Sequence, residues 1–254
     1  MIHTWPEDAE PERLTFISDL HLFSSRSNAG QYESLIEESV DWSDLCVWGG
    51  DLFDFRWSQA GNGEATINLA LRWLGDWCER FPDKQFIFLL GNHDAHAPFG
   101  EALRQRFADH PKFFGGVDSV RIRDTLFVHG DVIEGDGSAQ AFDQYRERWS
   151  NKPEAGPLQH RAYDAAVAAR LHRAVATAAH RKRRTCLRLL RWMHRQPQDR
   201  VQGVRQIVFG HTHRQIHGLW VDGVRFYNGG ATIRHVPFSP VKIEFEDSLP
   251  DHLH

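Results

Sequence analysis

The sequence predicts an α/β fold, and three observations lead to it. Short runs rich in β-formers each empty into a polar loop carrying Asp, Asn or His; segments with apolar residues at helical spacing lie between them; and one long alanine- and arginine-rich stretch interrupts the series without adding such a loop. Alternating strands and helices build a sheet that collects its chemistry at the carboxyl ends of the strands. A chain of 254 residues with 41% hydrophobic content is long enough to bury such a core as one domain carrying an insertion.

Residues 1–12 are polar, with two prolines and no basic region leading into an apolar run. They are expected to form a flexible arm and not a targeting sequence. Leu14 to Ser18 reads as the first buried strand, with Asp19-Leu20-His21 at its exit. A modest helix follows over Gln31 to Val40, with Leu35, Ile36 and Val40 as its stripe. Leu45 to Trp48 is the next strand and Gly49-Gly50-Asp51-Leu52-Phe53-Asp54 its exit loop. Ala65 to Phe81 has helical spacing and stops at Pro82, and its tryptophans read as core.

Gln85 to Leu90 is a strand running into Gly91-Asn92-His93-Asp94, and Glu101 to Ala108 is a short helix. Ser119 to Arg123 and Leu126 to His129 form a hairpin about Asp124-Thr125, whose second strand ends in His129-Gly130-Asp131. Residues 134–202 differ in kind: turn-rich at Gly135-Asp136-Gly137, interrupted at Pro153 and Pro157, then helical from Arg161 to Arg195. This stretch is expected to be an inserted helical cap. Gly203 to Phe209 resumes the sheet and delivers Gly210-His211-Thr212-His213. Asp222-Gly223 marks a hairpin, Tyr227-Asn228-Gly229-Gly230 is another loop, and Pro240 to Phe245 is the last strand. The expected organisation is therefore an arm (1–12), a catalytic domain (13–133 and 203–246), the cap (134–202) and a tail (247–254).

Charge is distributed unevenly. Between Ala141 and Arg195 there are 13 Lys/Arg against 4 Asp/Glu, a net +9, so the rest of the chain carries −13 of the total of −4. The basic segment suits an anionic partner, although an arginine-rich solvated helix face has the same composition. Cys46, Cys78 and Cys186 are far apart and show no metal-ligand spacing, which fits a reducing compartment and argues against a disulfide framework.

The loops supply Asp19, His21, Asp51, Asn92, His129, His211 and His213: two carboxylates, one amide and four imidazoles. That is enough for two divalent ions if one carboxylate bridges them, and Asp51 is the natural bridge. Oxygen and nitrogen donors without thiolate suit Mn²⁺, Fe or Zn²⁺. A paired site of this type supplies a nucleophile from water and clamps the oxygens of an in-line displacement at phosphorus. His93, beside a candidate ligand, is placed to protonate a departing oxygen or to stabilise charge on the phosphoryl group, with Asp54 holding its tautomer. The plainer alternatives are that His93 caps a turn, that Asp54 braces its loop and that His211 and His213 lie on a solvated loop.

The motifs Asp19-x-His21, Gly50-Asp51-x-x-Asp54, Gly91-Asn92-His93-Asp94, His129-Gly130 and Gly210-His211-x-His213 resemble, in order, the five signatures of the calcineurin-like metallophosphoesterases, spread over residues 13 to 246. The resemblance implies a two-sheet β-sandwich flanked by helices. It also implies Asp19, His21, Asp51 and His213 around one metal and Asp51, Asn92, His129 and His211 around the other, with His93 in the catalytic position and Asp54 as its partner. Within that family the loops, the basic insertion and His217 look most like the UDP-2,3-diacylglucosamine pyrophosphatases, Mn²⁺-dependent peripheral membrane enzymes of lipid A synthesis that release UMP and a diacylglucosamine 1-phosphate. Asp131, Arg214, Asn228 and His217 are then expected to contact substrate. Best-known members of that branch carry arginine where this chain has His93, while the wider family has histidine.

The cap adds a physical expectation: Leu171, Val175, Leu187, Leu190 and Met193 among arginines could shelter acyl chains and attract a diphosphate. Such a helix also suits anionic lipid headgroups, at about 1 kcal/mol per Lys/Arg near the membrane, which points to a cytoplasmic protein bound peripherally to the inner membrane face. A nucleic-acid backbone would fit the same charge, but the platform lacks interleaved aromatics and the overall charge is negative, so nucleic acid ranks lower. A metal-free scaffold is the reading from a different class, disfavoured because all seven ligand candidates are present.

Overall fold

The structure, a computed structural model, describes residues 1–168 and 180–245. In chain order its strands are β1 (Ile2–Thr4), β2 (Arg13–Ile17), β3 (Leu45–Trp48), β4 (Gln85–Leu89), β5 (Phe113–Val117), β6 (Ser119–Ile122), β7 (Thr125–Val128), β8 (Gln206–Phe209), β9 (Ile216–Val221), β10 (Val224–Asn228) and β11 (Val241–Glu244). Its helices are α1 (Glu33–Trp42), α2 (Gly63–Arg80), α3 (Ala97–Phe107), α4 (Ala139–Ser150), α5 (Pro157–Ala168), α6 (Lys182–Met193) and the single turn α7 (Gln198–Val201).

Successive residues of a strand point to opposite faces, and in β2, β3, β4, β7 and β8 both faces are buried, which is why these strands read as unbroken apolar runs. In β2, β3 and β4 one set, Leu14, Phe16, Leu45, Val47, Ile87 and Leu89, packs against Val120, Ile122, Phe127 and Val208 of the other sheet. The alternate set, Cys46, Trp48, Phe86 and Phe88, packs against Ile36, Leu74, Trp77 and Leu103 of α1, α2 and α3. One sheet has the order β11-β2-β3-β4-β5 and the other β1-β6-β7-β8-β10-β9. The expected two-sheet sandwich flanked by helices is the observed fold.

Register levels the loops. Ile17 pairs Trp48 and Trp48 pairs Phe88 along parallel strands, so the loops after β2, β3 and β4 leave side by side. In the second sheet Val128 pairs Phe209, which aligns the exits of β7 and β8. The Asp222-Gly223 turn has positive φ at both central residues, 48° and 81°, as a two-residue hairpin requires.

Three expectations are corrected. The N-terminal arm is partly sheet: Ile2–Thr4 pairs in parallel with β6, and Ile2 is buried in the core. A three-residue strand with one apolar side chain carries no readable period. Strand β5 was not expected, because its Gly115-Gly116 pair breaks the apolar pattern. The single helix expected over Arg161 to Arg195 is interrupted, since Arg181 is extended and α6 begins at Lys182.

That interruption changes the extent of the cap. Cys186, Leu189, Leu190, Trp192 and Met193 of α6 are buried against Ile207, Phe209 and Phe226, with Leu187 packed beside them. Leu187, Leu190 and Met193 therefore belong to the outer layer of the sandwich and do not line an acyl chamber, while Leu171 and Val175 lie outside the described residues. Among the described residues, helices α4 and α5, together with Glu134 and His180, lie against the strand-end loops. Among the described residues no helix is long and apolar enough to cross a membrane.

Candidate metal centre

Five of the seven expected ligands hold left-handed backbone conformations: Asp19 (φ 56°), His21 (47°), Asp51 (51°), His211 (63°) and His213 (53°). Each such residue costs about 1–3 kcal/mol, and strain of this kind concentrates where side chains must be aimed. Two glycines make room. A Cβ on Gly91 would sit inside van der Waals contact of Asp51 Oδ1, and one on Gly210 would do the same to Asp19 Oδ2.

The loops bring these donors into two groups whose ligand atoms lie within 4.8 Å of one another: Asp19, His21 and His213, and Asp51, His129 and His211. The division of His211 from His213 is the expected one. His213 Nε2 lies 3.3 Å from Asp19 Oδ1 and 3.1 Å from His21 Nε2. Asp19 is fixed by Ser18 Oγ at 2.5 Å and by the His211 backbone N–H at 3.0 Å. Asp51 Oδ1 accepts the His93 backbone N–H at 2.7 Å, and its Oδ2 lies 3.3 Å from His129 Nε2.

The donor set fits divalent ions. Asn92 Oδ1 and His129 Nε2 are buried without a hydrogen-bond partner, which is costly unless another group occupies the space they face. His129 donates from Nδ1 to the Gly49 carbonyl at 2.9 Å, leaving Nε2 as the nitrogen offered to the centre. Burial alone would lower the His129 imidazole, but the Asp51 carboxylate pushes it up to about 10. Despite burial, His129 and then His93 hold Asp51 well below the usual carboxylate range. His21 is kept neutral, well below its ordinary value, by burial and then by Arg26.

His93 stands at the edge of this cluster. Its Nδ1 lies 2.9 Å from Asp54 Oδ1 and its Nε2 lies 4.0 Å from Asp51 Oδ2. The second oxygen of Asp54 accepts Arg26 Nη2 at 2.6 Å, and the same nitrogen is 2.9 Å from His21 Nδ1. Burial works against an ionised Asp54, yet His93 and Arg26 hold its carboxyl below the ordinary value.

The residues expected to contact substrate fare differently. Asp131 is buried and forms a double hydrogen bond with Arg146 of α4, so its carboxylate ties the insertion to β7. Asn228 is fully buried and donates to the Gly210 carbonyl at 2.7 Å while accepting the Gly230 N–H at 2.9 Å. It braces the histidine loop and has no free edge for a ligand. His217 is exposed on the edge strand β9 and belongs to none of the described donor groups. Arg214 is half-buried and donates to the His180 carbonyl at 3.0 Å.

Several functional neighbours were not found from sequence. Arg26, only 5% exposed, lies five residues past His21 in a serine-rich turn with no periodic signal. Its Nη1 bonds the Tyr163 hydroxyl of α5. Asp94 is fully buried and accepts backbone N–H groups of Leu52, Phe53 and Gly91, tying the β3 and β4 exits together. Glu134 lies 3.0 Å from His211 Nε2 and forms a further donor group with His180 and His211. The rings of Trp149 and His93 are 4.5 Å apart, so α4 reaches His93 directly.

The chain matches the calcineurin-like phosphoesterase family over residues 12–215. Among solved structures it is similar to a conserved uncharacterized protein, a predicted phosphoesterase, from Streptococcus pneumoniae TIGR4 (12% identity, TM-score 0.36, covering 92% of this chain and 83% of that one). It is also similar to a dimetal phosphatase from Danio rerio (12% identity, TM-score 0.45, covering 92% of each chain). No curated protein sequence matches it. The family match takes in every donor loop from Asp19 to His213, and the chain belongs to the calcineurin-like phosphoesterase family, as a metal-dependent hydrolase with donor groups suited to a dinuclear divalent centre.

Proposed function

We propose that this chain hydrolyses the diphosphate of a UDP-linked diacylglucosamine to UMP and the lipid sugar 1-phosphate. The observation that carries hydrolysis at phosphorus is the His93–Asp54 pair, with His93 Nε2 facing the carboxylate of Asp51 across 4.0 Å. Asp54 accepts the Nδ1 proton, which leaves Nε2 facing the reaction; the imidazolium form gives its Nε2 proton to the departing oxygen or stabilises its charge, an effect worth about 10²–10⁴ in rate. Asp19, His21, Asp51 and His213 would hold one divalent ion and Asp51, Asn92, His129 and His211 the other, and such a pair would supply Lewis acidity and a nucleophile from water at neutral pH. Mn²⁺ is the proposed metal, on the strength of the loop resemblance, because the oxygen and nitrogen donors would also accept Fe or Zn²⁺.

The resemblance of the five loops and the basic insertion support the substrate. Exposed Arg183, Arg184 and Arg191 on α6 also support peripheral contact with an anionic membrane surface on the cytoplasmic side. Another phosphodiester is the second reading. It is favoured by histidine at position 93 and by the packing of the α6 apolar face against the sheet, which removes three of the residues expected to shelter acyl chains. Nucleic acid ranks below both, and the scaffold reading has no support from a site in which the donors converge.

The deciding assay follows UMP release from UDP-2,3-diacylglucosamine with Mn²⁺, beside a panel of other phosphodiesters. UMP release at a rate above that of the panel supports the first reading. No UMP, with turnover of another diester, promotes the second.

A further inference from the structure

Between the loop that follows Asp54 and the C-terminal end of α4 lies a small pocket of about 40 Å³ that opens beside His93. Phe55 and Trp149 give it aromatic walls, and Arg56, Lys152 and Glu154 supply its charges. Lys152 Nζ sits 3.2 Å above the Trp149 ring, which also meets His93 and Tyr145. The walls are tied across the gap, since the Ala155 N–H donates to the Arg56 carbonyl at 2.9 Å and the Ala97 N–H to Ser150 Oγ at 3.3 Å. The pocket is therefore built jointly by the sandwich loops and the insertion.

Its charges are unbalanced. The half-buried Arg56 and the exposed Lys152 stand against one carboxylate, Glu154, and the Lys152 ammonium is lowered from its ordinary value by burial and then by Arg56 and Arg148. An anion brought between these cations relieves their mutual repulsion. The proton-delivering Nε2 of His93 marks the side from which the leaving group departs, and the pocket adjoins that residue.

We propose that this pocket seats the phosphate of the leaving group, and that Arg56 and Lys152 recognise that phosphate monoester, so that the bond cleaved is the anhydride of a diphosphate and not a simple diester. The inference rests on the phosphoesterase reading and adds the residues that select its substrate class. In the reaction water adds to one phosphorus, the bridging P–O bond breaks, and each product keeps one phosphate. The leaving phosphate gains charge as the bond opens, which is where a paired guanidinium and ammonium act most strongly.

The test compares the Mn²⁺-loaded wild type with the R56Q/K152Q double variant on UDP-N-acetylglucosamine, whose leaving group is a phosphate monoester, and on bis(p-nitrophenyl) phosphate, whose leaving group is not. The expected result is a fall of about tenfold or more in the ratio of kcat/KM for the diphosphate to that for the diester. Both substrates are measured on the same preparation, so any loss of folded protein cancels in the ratio. An unchanged ratio overturns the inference. So does a wild type that cleaves the diester but neither this diphosphate nor UDP-diacylglucosamine, and that outcome leaves the phosphoesterase reading standing. A wild type that cleaves none of the three removes that reading and this inference with it.

Discussion

Asp54 accepts His93 Nδ1 on one carboxylate oxygen at 2.9 Å, so the His93 ring is oriented from behind and its Nε2 is presented toward Asp51. His93 is in this way separated in role from its neighbour Asn92, whose Oδ1 is buried without a hydrogen-bond partner.

The separation predicts different phenotypes for adjacent functions. His93→Ala should retain bound metal and lower kcat by about 10²–10⁴, whereas Asp51→Ala should lose metal and activity together. Elemental analysis beside steady-state kinetics checks both, and metal loss in His93→Ala would remove the assigned roles.

Arg26 should be a stability determinant as well as a neighbour of the dyad. Its guanidinium is nearly buried on Asp54 and bonded to Tyr163, and removing one member of a buried ion pair leaves the other charge uncompensated. Arg26→Met is expected to destabilise the protein by about 3–5 kcal/mol, read from urea denaturation. Tyr163→Phe keeps the pair and should have a smaller effect. Equal losses in the two variants would show that the Asp54 pair is not the dominant contact.

Metal binding should release protons. In the metal-free protein Asp51 holds the His129 imidazole up to about 10, so the ring carries a proton at neutral pH that Nε2 must lose to become a ligand. Apparent affinity should therefore weaken as pH is lowered from 8 toward 6, and calorimetry in buffers of different ionisation enthalpy should report net proton release. An affinity that does not change with pH would contradict this assignment.

The three thiols should be silent in the native state. Burial pushes Cys78 up to about 11 and Cys186 up to about 12, and Cys46 is fully buried beside Cys78. No rapid reaction with a chromogenic disulfide reagent is expected at pH 8, and all three should react in denaturant. One fast-reacting thiol in the folded protein would show that its burial is not maintained in solution.

Much of the centre was legible because each ligand type follows an apolar strand within a few residues, so local order alone places Asp19, Asp51, Asn92, His129 and His211 at strand exits. What could not be read is what arrives from elsewhere. Arg26 reaches Asp54 across 28 residues, Glu134 reaches His211 across 77 residues, and Trp149 reaches His93 from the insertion. The amphipathic pattern of α6 announces an apolar face without saying what covers it, and the cover proved to be the second sheet. Asp131 and Asn228 were given to substrate for the same reason, since a polar residue at a strand end looks alike whether it meets a ligand or a backbone amide.

The most direct test of the central claim is to titrate metal-free protein with Mn²⁺ while following bound metal and hydrolysis of bis(p-nitrophenyl) phosphate together. A dinuclear centre predicts activity that rises to its plateau as binding approaches two ions per chain. Binding of less than one ion per chain, or hydrolysis that persists after the metal is removed, would contradict it.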